Sequence, residues 1–100
     1  MALMEISVVP LGTSSTSLSK YVAEIIQILQ REGIPHKLTD MGTIIEGDPE
    51  TLFQVARRLH EVPFTKGALR VYTSIKIDDR RDKEVHLGDK VESVKGKTDV

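Results

Sequence analysis

The same apolar spacing occurs twice in this chain, and it limits the folds that the chain can adopt. Between residues 22 and 29, and again between residues 52 and 59, apolar side chains fall at positions i, i+3, i+4 and i+7. This stripe is typical of a helix that buries one face. The first predicted helix spans Leu18–Arg31, and it ends there because Gly33 and then Pro35 follow.

Local signals mark where both predicted helices begin. Asp48 is a strong N-cap for the second helix, Pro49 occupies its first position, and Pro63 ends it. A loop rich in hydroxyl groups precedes the first helix. Its hydroxyls and the free helix N–H groups could bind an anion, but N-capping is the simpler interpretation. The candidate N-caps are Ser14, Ser15, Thr16 and Ser17.

Four short segments have the composition of strands. Ile6–Pro10 is the first, and its proline ends it. His36–Asp40 and Thr43–Gly47 flank residues 41–42, which predicts a hairpin with a two-residue turn. Leu69–Asp78 alternates in side-chain character and predicts a final long strand. The order β-α-β-β-α-β predicts an α+β, ferredoxin-like sandwich: a four-stranded antiparallel sheet with both helices on one face.

The hairpin register decides which side chains face each other in the predicted sheet. A turn at residues 41–42 pairs Lys37 with Glu46 on the face without helices. Glu46 then has two interpretations: an ion pair with Lys37, or an acceptor for a cationic or aminopyrimidine-like ligand. The predicted pairs are Lys37–Glu46, Leu38–Ile45 and Thr39–Ile44. The residues expected on the face without helices are Glu5, Ser7, Val9, Lys37, Thr39, Ile44, Glu46, Tyr72, Ser74 and Lys76.

Length and charge narrow the class of protein. The chain has 100 residues, a formal net charge of −1 and no cysteine, which argues against a generic nucleic-acid binder and excludes thiol chemistry. No apolar run reaches the ~20 residues of a membrane span and no secretory signal is present, so we expect a cytoplasmic protein. We expect one domain over residues 1–100, with a charged extension over about residues 79–100. In it, the spacing of Leu87, Val91 and Val94 predicts a short third helix that docks through a narrow stripe.

The residues of known catalytic sets are missing or scattered. The chain has no Gly-x-Ser-x-Gly elbow, no phosphate-binding glycine loop and no metal-ligand spacing among its three histidines, His36, His60 and His86. Its two Tyr and two Phe residues are too few for an RNA-stacking sheet. The carboxylates Asp78, Asp79 and Asp82 are interleaved with basic residues that already supply counter-charge, which argues against a metal site. Residues 79–83 predict an ion-paired turn or a partner contact. We therefore expect no enzymatic activity, no metal and no cofactor.

Four blocks of sequence, taken together, resemble a known family. They are Ser7-Val-Val-Pro-Leu-Gly12, Ser17-Leu-Ser-Lys-Tyr-Val22, Met41-Gly-Thr-Ile-Ile-Glu-Gly47 and Lys76-Ile-Asp-Asp-Arg-Arg-Asp-Lys83. The set resembles the small thiamine-binding proteins, which are related to YkoF-like thiamine-binding domains, from about Glu5 to Lys97. The resemblance implies a ferredoxin-like fold and a homotetramer built as a dimer of dimers. It also implies binding of thiamine, or of its hydroxymethylpyrimidine part, without catalysis.

The resemblance also implies which residues bind the ligand, namely Ser7, Pro10, Thr43 and Glu46. Hydroxyls at Ser7 and Thr43 would supply directional hydrogen bonds, and Glu46 would supply charge for the thiazolium cation; we expect these three on the face without helices. We add Gly42, where the absence of a side chain allows close approach of a ligand or of a neighbouring backbone. We also add Tyr72, whose ring can pack on the ligand.

Two other classes of function stay open. An oligomeric regulatory or protein-interaction module would use the same sheet face and the charged extension, with no thiamine ligand. An enzyme using Asp78 or Glu46 as acid or base is the weaker alternative, because nothing pairs either carboxylate with a nucleophile or a metal. The function that we expect is non-catalytic binding of thiamine or a related pyrimidine by a homo-oligomer, for sequestration, delivery or sensing.

Overall fold

The computed structural model describes residues 1–98 of the chain. In chain order, its elements are β1 (Ala2–Leu11), α1 (Ser19–Arg31), β2 (His36–Thr39), β3 (Gly42–Gly47), α2 (Pro49–Thr65), β4 (Arg70–Asp79) and α3 (Asp89–Lys95). The four strands form one antiparallel sheet in the order β2-β3-β1-β4. This confirms the ferredoxin-like fold and its short C-terminal helix. The predicted extension ends with residues 99–100, which lie outside the described residues.

One face of the sheet is buried against α1 and α2. Met4 and Ile6 of β1 share a core cluster with Leu29 of α1 and with Leu52 and Leu59 of α2, and none of them is more than 2% exposed. Both apolar stripes therefore bury the same side of the sheet, as predicted. The odd-numbered residues of β1 from 3 to 9 point the other way and are half-buried. We call that second side the open face.

β1 is longer than predicted, and Pro10 lies inside it. The prediction that this strand ends at its proline is wrong, because β1 runs from Ala2 to Leu11. Its pairing with β3 stops at Ile6, so beyond that residue β4 is its only neighbour. Proline is tolerated there because a strand with one free edge does not need every N–H group for pairing.

The turn between β2 and β3 lies one residue earlier than predicted. Thr39 pairs with Gly42, so the turn consists of residues 40–41, and the predicted pairs are wrong by two residues. Glu46 consequently does not face Lys37, which lies opposite Ile44 of β3. A shift of two residues leaves each side chain on its own face, because side chains alternate with period two. The observed pairs are His36–Ile45, Lys37–Ile44, Leu38–Thr43 and Thr39–Gly42.

The ends of α1 and α2 differ from the predictions in two respects. The N-cap of α1 is Leu18, with no side-chain hydrogen bond, so the expected hydroxyl cap is wrong. α2 continues through Pro63 to Thr65, so Pro63 does not end the helix at once. It removes one N–H group in the last turn, and the helix stops two residues later. Within residues 1–98, no helix has the length and apolar character needed to cross a membrane.

After β4 the chain returns over one end of the open face. We call residues 80–98 the C-terminal strap. Val85 is buried, and it lines a small gap together with Leu3 at the start of β1. Lys90 of the strap forms an ion pair with Asp78 of β4. These contacts hold the strap against the end of the open face where β1 begins.

α3 does not dock through the predicted stripe. Val91 and Val94 are 52% and 60% exposed, and no residue of α3 is buried. The strap makes its buried contact earlier, at Val85, which lies outside α3. The ion-paired turn is confirmed by two pairs, Arg80–Asp82 and Arg81–Asp79.

Asp48 caps α2 as predicted, and its capping bonds depend on ionisation. The Thr51 N–H donates to Asp48 Oδ1 at 3.0 Å, and the Thr51 hydroxyl donates to Oδ2 at 2.8 Å. These bonds hold the pKa of Asp48 below its usual value. Because the folded-state pKa is the lower one, the cap stabilises the protein above the usual pKa, and this contribution is lost as the pH falls through the folded-state pKa.

We therefore expect Asp48→Ala to lower the melting temperature at pH 7, and the difference from wild type to shrink as the pH falls below the usual pKa of an aspartate. Circular dichroism melts across this pH range measure it. The matched control is Glu61→Ala on the same helix, because Glu61 is exposed and has no ion pair within residues 1–98. A melting difference that does not change with pH would contradict the role of the ionised cap.

Candidate functional site

A cavity of about 210 Å³ lies where β1 parts from β3. Ile6 is the last β1 residue opposite β3, so within residues 1–98 the backbone at Ser7 and Val8 has β4 as its only neighbouring strand. The other walls are the start of α1, with Val22 and Ile25, and the β2–β3 turn. We call this space the notch cavity. Its free strand edge offers backbone N–H and C=O groups to a ligand.

Thr43 is the most informative polar residue of the notch cavity. It is 4% exposed, and among residues 1–98 it is the one polar residue that is buried. Its hydroxyl makes no hydrogen bond to another residue in that range. Among residues 1–98, every side-chain oxygen or nitrogen that is fully enclosed has a hydrogen-bond partner. The Thr43 hydroxyl has none, so it is not fully enclosed, and it opens into the cavity that Thr43 lines. A buried hydroxyl without a protein partner is a group that a ligand can satisfy.

The expected polar set on the open face is divided between the two faces of the sheet. Thr43 pairs with Ile6, so its side chain points toward the helices. Ser7 and Glu46 occupy alternate positions that point to the open face. The prediction that Ser7, Thr43 and Glu46 share one face is therefore wrong, because side chains alternate and Thr43 has the parity of the core residue Ile45.

The structure brings together three of the six predicted ligand-binding residues. Ser7, Gly42 and Thr43 all line the notch cavity. Pro10 is buried farther along β1, on the side of the sheet that faces the helices. Tyr72 is 64% exposed on the open face, opposite Val9. A Cβ at Gly42 would lie 3.0 Å from the Ile6 carbonyl oxygen, so the close approach at this glycine is to a neighbouring backbone.

Glu46 holds the C-terminal strap. Its side chain is 11% exposed, and Oε1 accepts a hydrogen bond from the Leu87 N–H at 2.7 Å. The same oxygen lies 3.1 Å from His86 Nδ1. A carboxylate on the open face is thus satisfied by a segment 40 residues away in the sequence. Neither the hairpin register nor local spacing signals this contact.

The β2–β3 turn contributes two lining residues that sequence analysis did not single out. Asp40 and Met41 both line the notch cavity and are exposed, Met41 at 83%. The signal for Asp40 is the turn itself, because aspartate is favoured in two-residue hairpin turns. Its carboxylate places negative charge at the solvent side of the cavity, where a cationic group can approach it.

The dimensions of the notch cavity restrict its ligand. Cavities that hold drug-sized molecules measure roughly 300–1,000 Å³. The notch cavity, at about 210 Å³, has room for one small ring and leaves the rest of a larger ligand outside. Its walls are mainly apolar, and their polar groups include the Thr43 hydroxyl, the Asp40 carboxylate and a strand edge. This arrangement suits a flat ring that has hydrogen-bonding groups along its edge.

Comparison with known sequences identifies the family. The family model described as "Thiamine-binding protein" matches residues 4–95. The UPF0045 protein YqgV of Bacillus subtilis is 49% identical over 98 residues, which cover 94% of each chain. A UPF0045 protein of Methanothermobacter thermautotrophicus is 46% identical over 98 residues, which cover 97% of this chain and 99% of the relative.

Solved structures agree with the fold. The MJ1052 protein of Methanocaldococcus jannaschii has a TM-score of 0.82 and 31% identity, over 94% of this chain and 95% of its own. A Thermotoga maritima protein whose name suggests thiamine biosynthesis or salvage has a TM-score of 0.74 and 19% identity, over 93% and 97% of the two chains. At that identity the likeness concerns the fold alone. Since the family match and the relatives extend over nearly the whole chain, this protein belongs to the thiamine-binding protein family.

Proposed function

We propose that this protein binds thiamine, or its hydroxymethylpyrimidine part, and catalyses no reaction on it. The observation that carries the proposal is the buried Thr43 hydroxyl, which has no partner within residues 1–98 and opens into the notch cavity. An aminopyrimidine ring has donors and acceptors along its edge, and these complement the Thr43 hydroxyl and the free strand edge at Ser7 and Val8. The family match supports a thiamine-related ligand.

In this arrangement the pyrimidine ring enters the notch cavity and the thiazolium ring stays outside it. The thiazolium carries the positive charge of thiamine, and Asp40 supplies a carboxylate on the exposed side. The Met41 thioether is exposed beside it and can pack on a flat ring. No histidine lines the notch cavity, and Asp40 lies on an exposed turn, which favours binding over acid–base chemistry. Sequestration, delivery and sensing are the roles that such a binding protein can have.

We further propose that the protein acts as a homo-oligomer, a tetramer built as a dimer of dimers. β4 is a ten-residue strand with one free edge, and such edges pair readily with a second chain. Leu69 and Tyr72, beside and on that strand, are 96% and 64% exposed. Light scattering measures the assembly directly, and we expect a mass four times that of one 11.1 kDa chain. A mass of 11.1 kDa in solution would contradict the oligomer.

Titration calorimetry tests the ligand. We expect saturable binding of both thiamine and hydroxymethylpyrimidine, and no binding of choline, which has a positive charge but no pyrimidine. Binding of choline equal to that of thiamine would show that charge alone is recognised. No binding of either pyrimidine compound would contradict the proposal and favour the protein-interaction module.

Thr43→Val tests the site. Valine keeps the shape of threonine and removes the hydroxyl, so we expect the affinity for hydroxymethylpyrimidine to fall by about 1 kcal/mol, or about fivefold. Stability should not fall, because the hydroxyl has no hydrogen bond to lose within residues 1–98. The control is Thr16→Val in the exposed loop before α1, outside the notch cavity. Equal affinities of Thr43→Val and wild type would place the ligand elsewhere.

A further inference from the structure

A second and larger cavity lies beside the loop between β1 and α1. It measures about 550 Å³, it is open to solvent on one side, and it is lined by that loop, by the first turn of α1 and by the connection from α2 to β4. It shares no lining residue with the notch cavity. We call it the basic cavity, because its charged lining residues are Lys20, Lys66 and Arg70.

The charge in the basic cavity is of one sign. Lys20 lies in the first turn of α1, whereas Lys66 and Arg70 lie at the two ends of the α2–β4 connection. Among residues 1–98, no aspartate or glutamate lines the space. This cluster of positive charge is local to the cavity, because the chain as a whole has a formal net charge of −1. One carboxylate approaches from outside: Glu24 of α1 pairs with Lys66 at 2.9 Å. That pair raises the pKa of Lys66 and offsets part of its charge, whereas Lys20 and Arg70 have no ion pair within residues 1–98.

Hydroxyl groups supply neutral donors in the same cavity. Thr13, Ser14, Ser15 and Ser17 line it, and none of them caps α1. Three of these hydroxyls are partly used by near neighbours. Thr13 donates to the Ser15 carbonyl at 2.8 Å, and Ser15 accepts from the Ser17 N–H at 3.0 Å. The Ser17 hydroxyl lies 3.1 Å from the Ser19 hydroxyl. The Ser14 hydroxyl has no hydrogen bond within residues 1–98. Hydroxyls and cations thus surround one space from several directions.

We propose that the basic cavity binds a phosphate group, carried by a free phosphate anion or by a small phosphate ester. Phosphate has several acceptor oxygens and two negative charges, so it needs cations together with several donors around it. A guanidinium recognises phosphate through two parallel hydrogen bonds, and ammonium groups add charge. The volume, about 550 Å³, lies within the range of ligand cavities and leaves room for the organic part of an ester. The site is separate from the pyrimidine site, and each can fail without the other.

Calorimetric titration with orthophosphate, pyrophosphate and glycerol phosphate tests the proposal at constant ionic strength. We expect saturable binding of at least one of them. Tighter binding of glycerol phosphate than of orthophosphate identifies an ester as the ligand, and the reverse order identifies the free anion. Absence of saturable binding with all three would overturn the proposal, whatever the result with thiamine.

Charge-removing variants locate the site. We expect Arg70→Gln and Lys20→Gln each to weaken phosphate binding roughly tenfold, because each removes a charged donor. Lys37→Gln is the matched control, since Lys37 is exposed on β2 and lines neither cavity. Thr43→Val should leave phosphate binding unchanged. An equal loss in Lys37→Gln would overturn the site, because it would show a response to total charge.

A measurement on the wild-type chain avoids any folding defect of the variants. In NMR titrations with pyrophosphate, we expect the amide signals of residues 13–17 and 67–70 to shift, and those of the β2–β3 turn to stay in place. Shifts confined to other parts of the chain would overturn the assignment.

Discussion

Gly42→Ala is expected to lower the free energy of unfolding by about 1–3 kcal/mol and to weaken thiamine binding. The new Cβ would lie 3.0 Å from the Ile6 carbonyl oxygen and 3.3 Å from Glu5 Cγ. A backbone oxygen in a paired strand cannot turn aside as a flexible side chain can. β1 and β3 must therefore separate where their pairing ends, and Thr43, the next residue, moves with β3 away from its place in the notch cavity.

Urea unfolding and calorimetry with thiamine measure the two effects of Gly42→Ala. Gly96→Ala is the matched control, because Gly96 has a φ of −68° and the nearest atom to its new Cβ is 3.6 Å away. We expect that control to unfold and bind like wild type. A Gly42→Ala protein as stable as wild type would show that β1 yields to the methyl group and that the close approach is not required.

Glu46→Ala is expected to release the C-terminal strap and to cost about 1.5–3 kcal/mol of stability. The substitution removes the acceptor of the Leu87 N–H and leaves that amide, next to the buried Val85, without its partner. Hydrogen exchange of the Leu87 amide should become faster, and protease cleavage within residues 80–98 should increase. The control, Glu61→Ala, removes an exposed carboxylate that has no ion pair within residues 1–98.

The same variant separates two roles of Glu46. An anchoring role predicts faster exchange at Leu87 with little change in thiamine affinity. The ligand-binding role that the resemblance implies predicts a loss of affinity with exchange at Leu87 unchanged. If exchange at Leu87 does not change, the contact between Glu46 and the strap is not what holds the strap in place.

The fold could be predicted from local sequence patterns, because the spacing of apolar residues indicates which side of a helix or strand is buried. The stripes at residues 22–29 and 52–59 each marked one helix face, and both face the same sheet in the structure. Asp48 and Pro49 marked the start of α2 for an equally local reason, since a cap bonds to the turn next to it.

The hairpin shows where local patterns stop being sufficient. Turns at residues 40–41 and 41–42 both keep the alternation of side chains, so the sequence pattern does not choose between them. In the structure the turn lies at residues 40–41, where the Thr39 hydroxyl donates to the Gly42 carbonyl at 2.8 Å. That choice brings Asp40 into the lining of the notch cavity.

By itself, the sequence determined the order of elements, the buried faces of both helices and the four blocks that indicate the family. These features depend on residues that are a few positions apart in the sequence, and that spacing is the same whether or not the chain is folded. Only the tertiary structure decided that Thr43 opens into a cavity, that Glu46 holds Leu87, and that Lys20 and Arg70 share a space. Such contacts join residues about 40 or 50 positions apart, and they exist only after packing of the whole sheet brings those segments together.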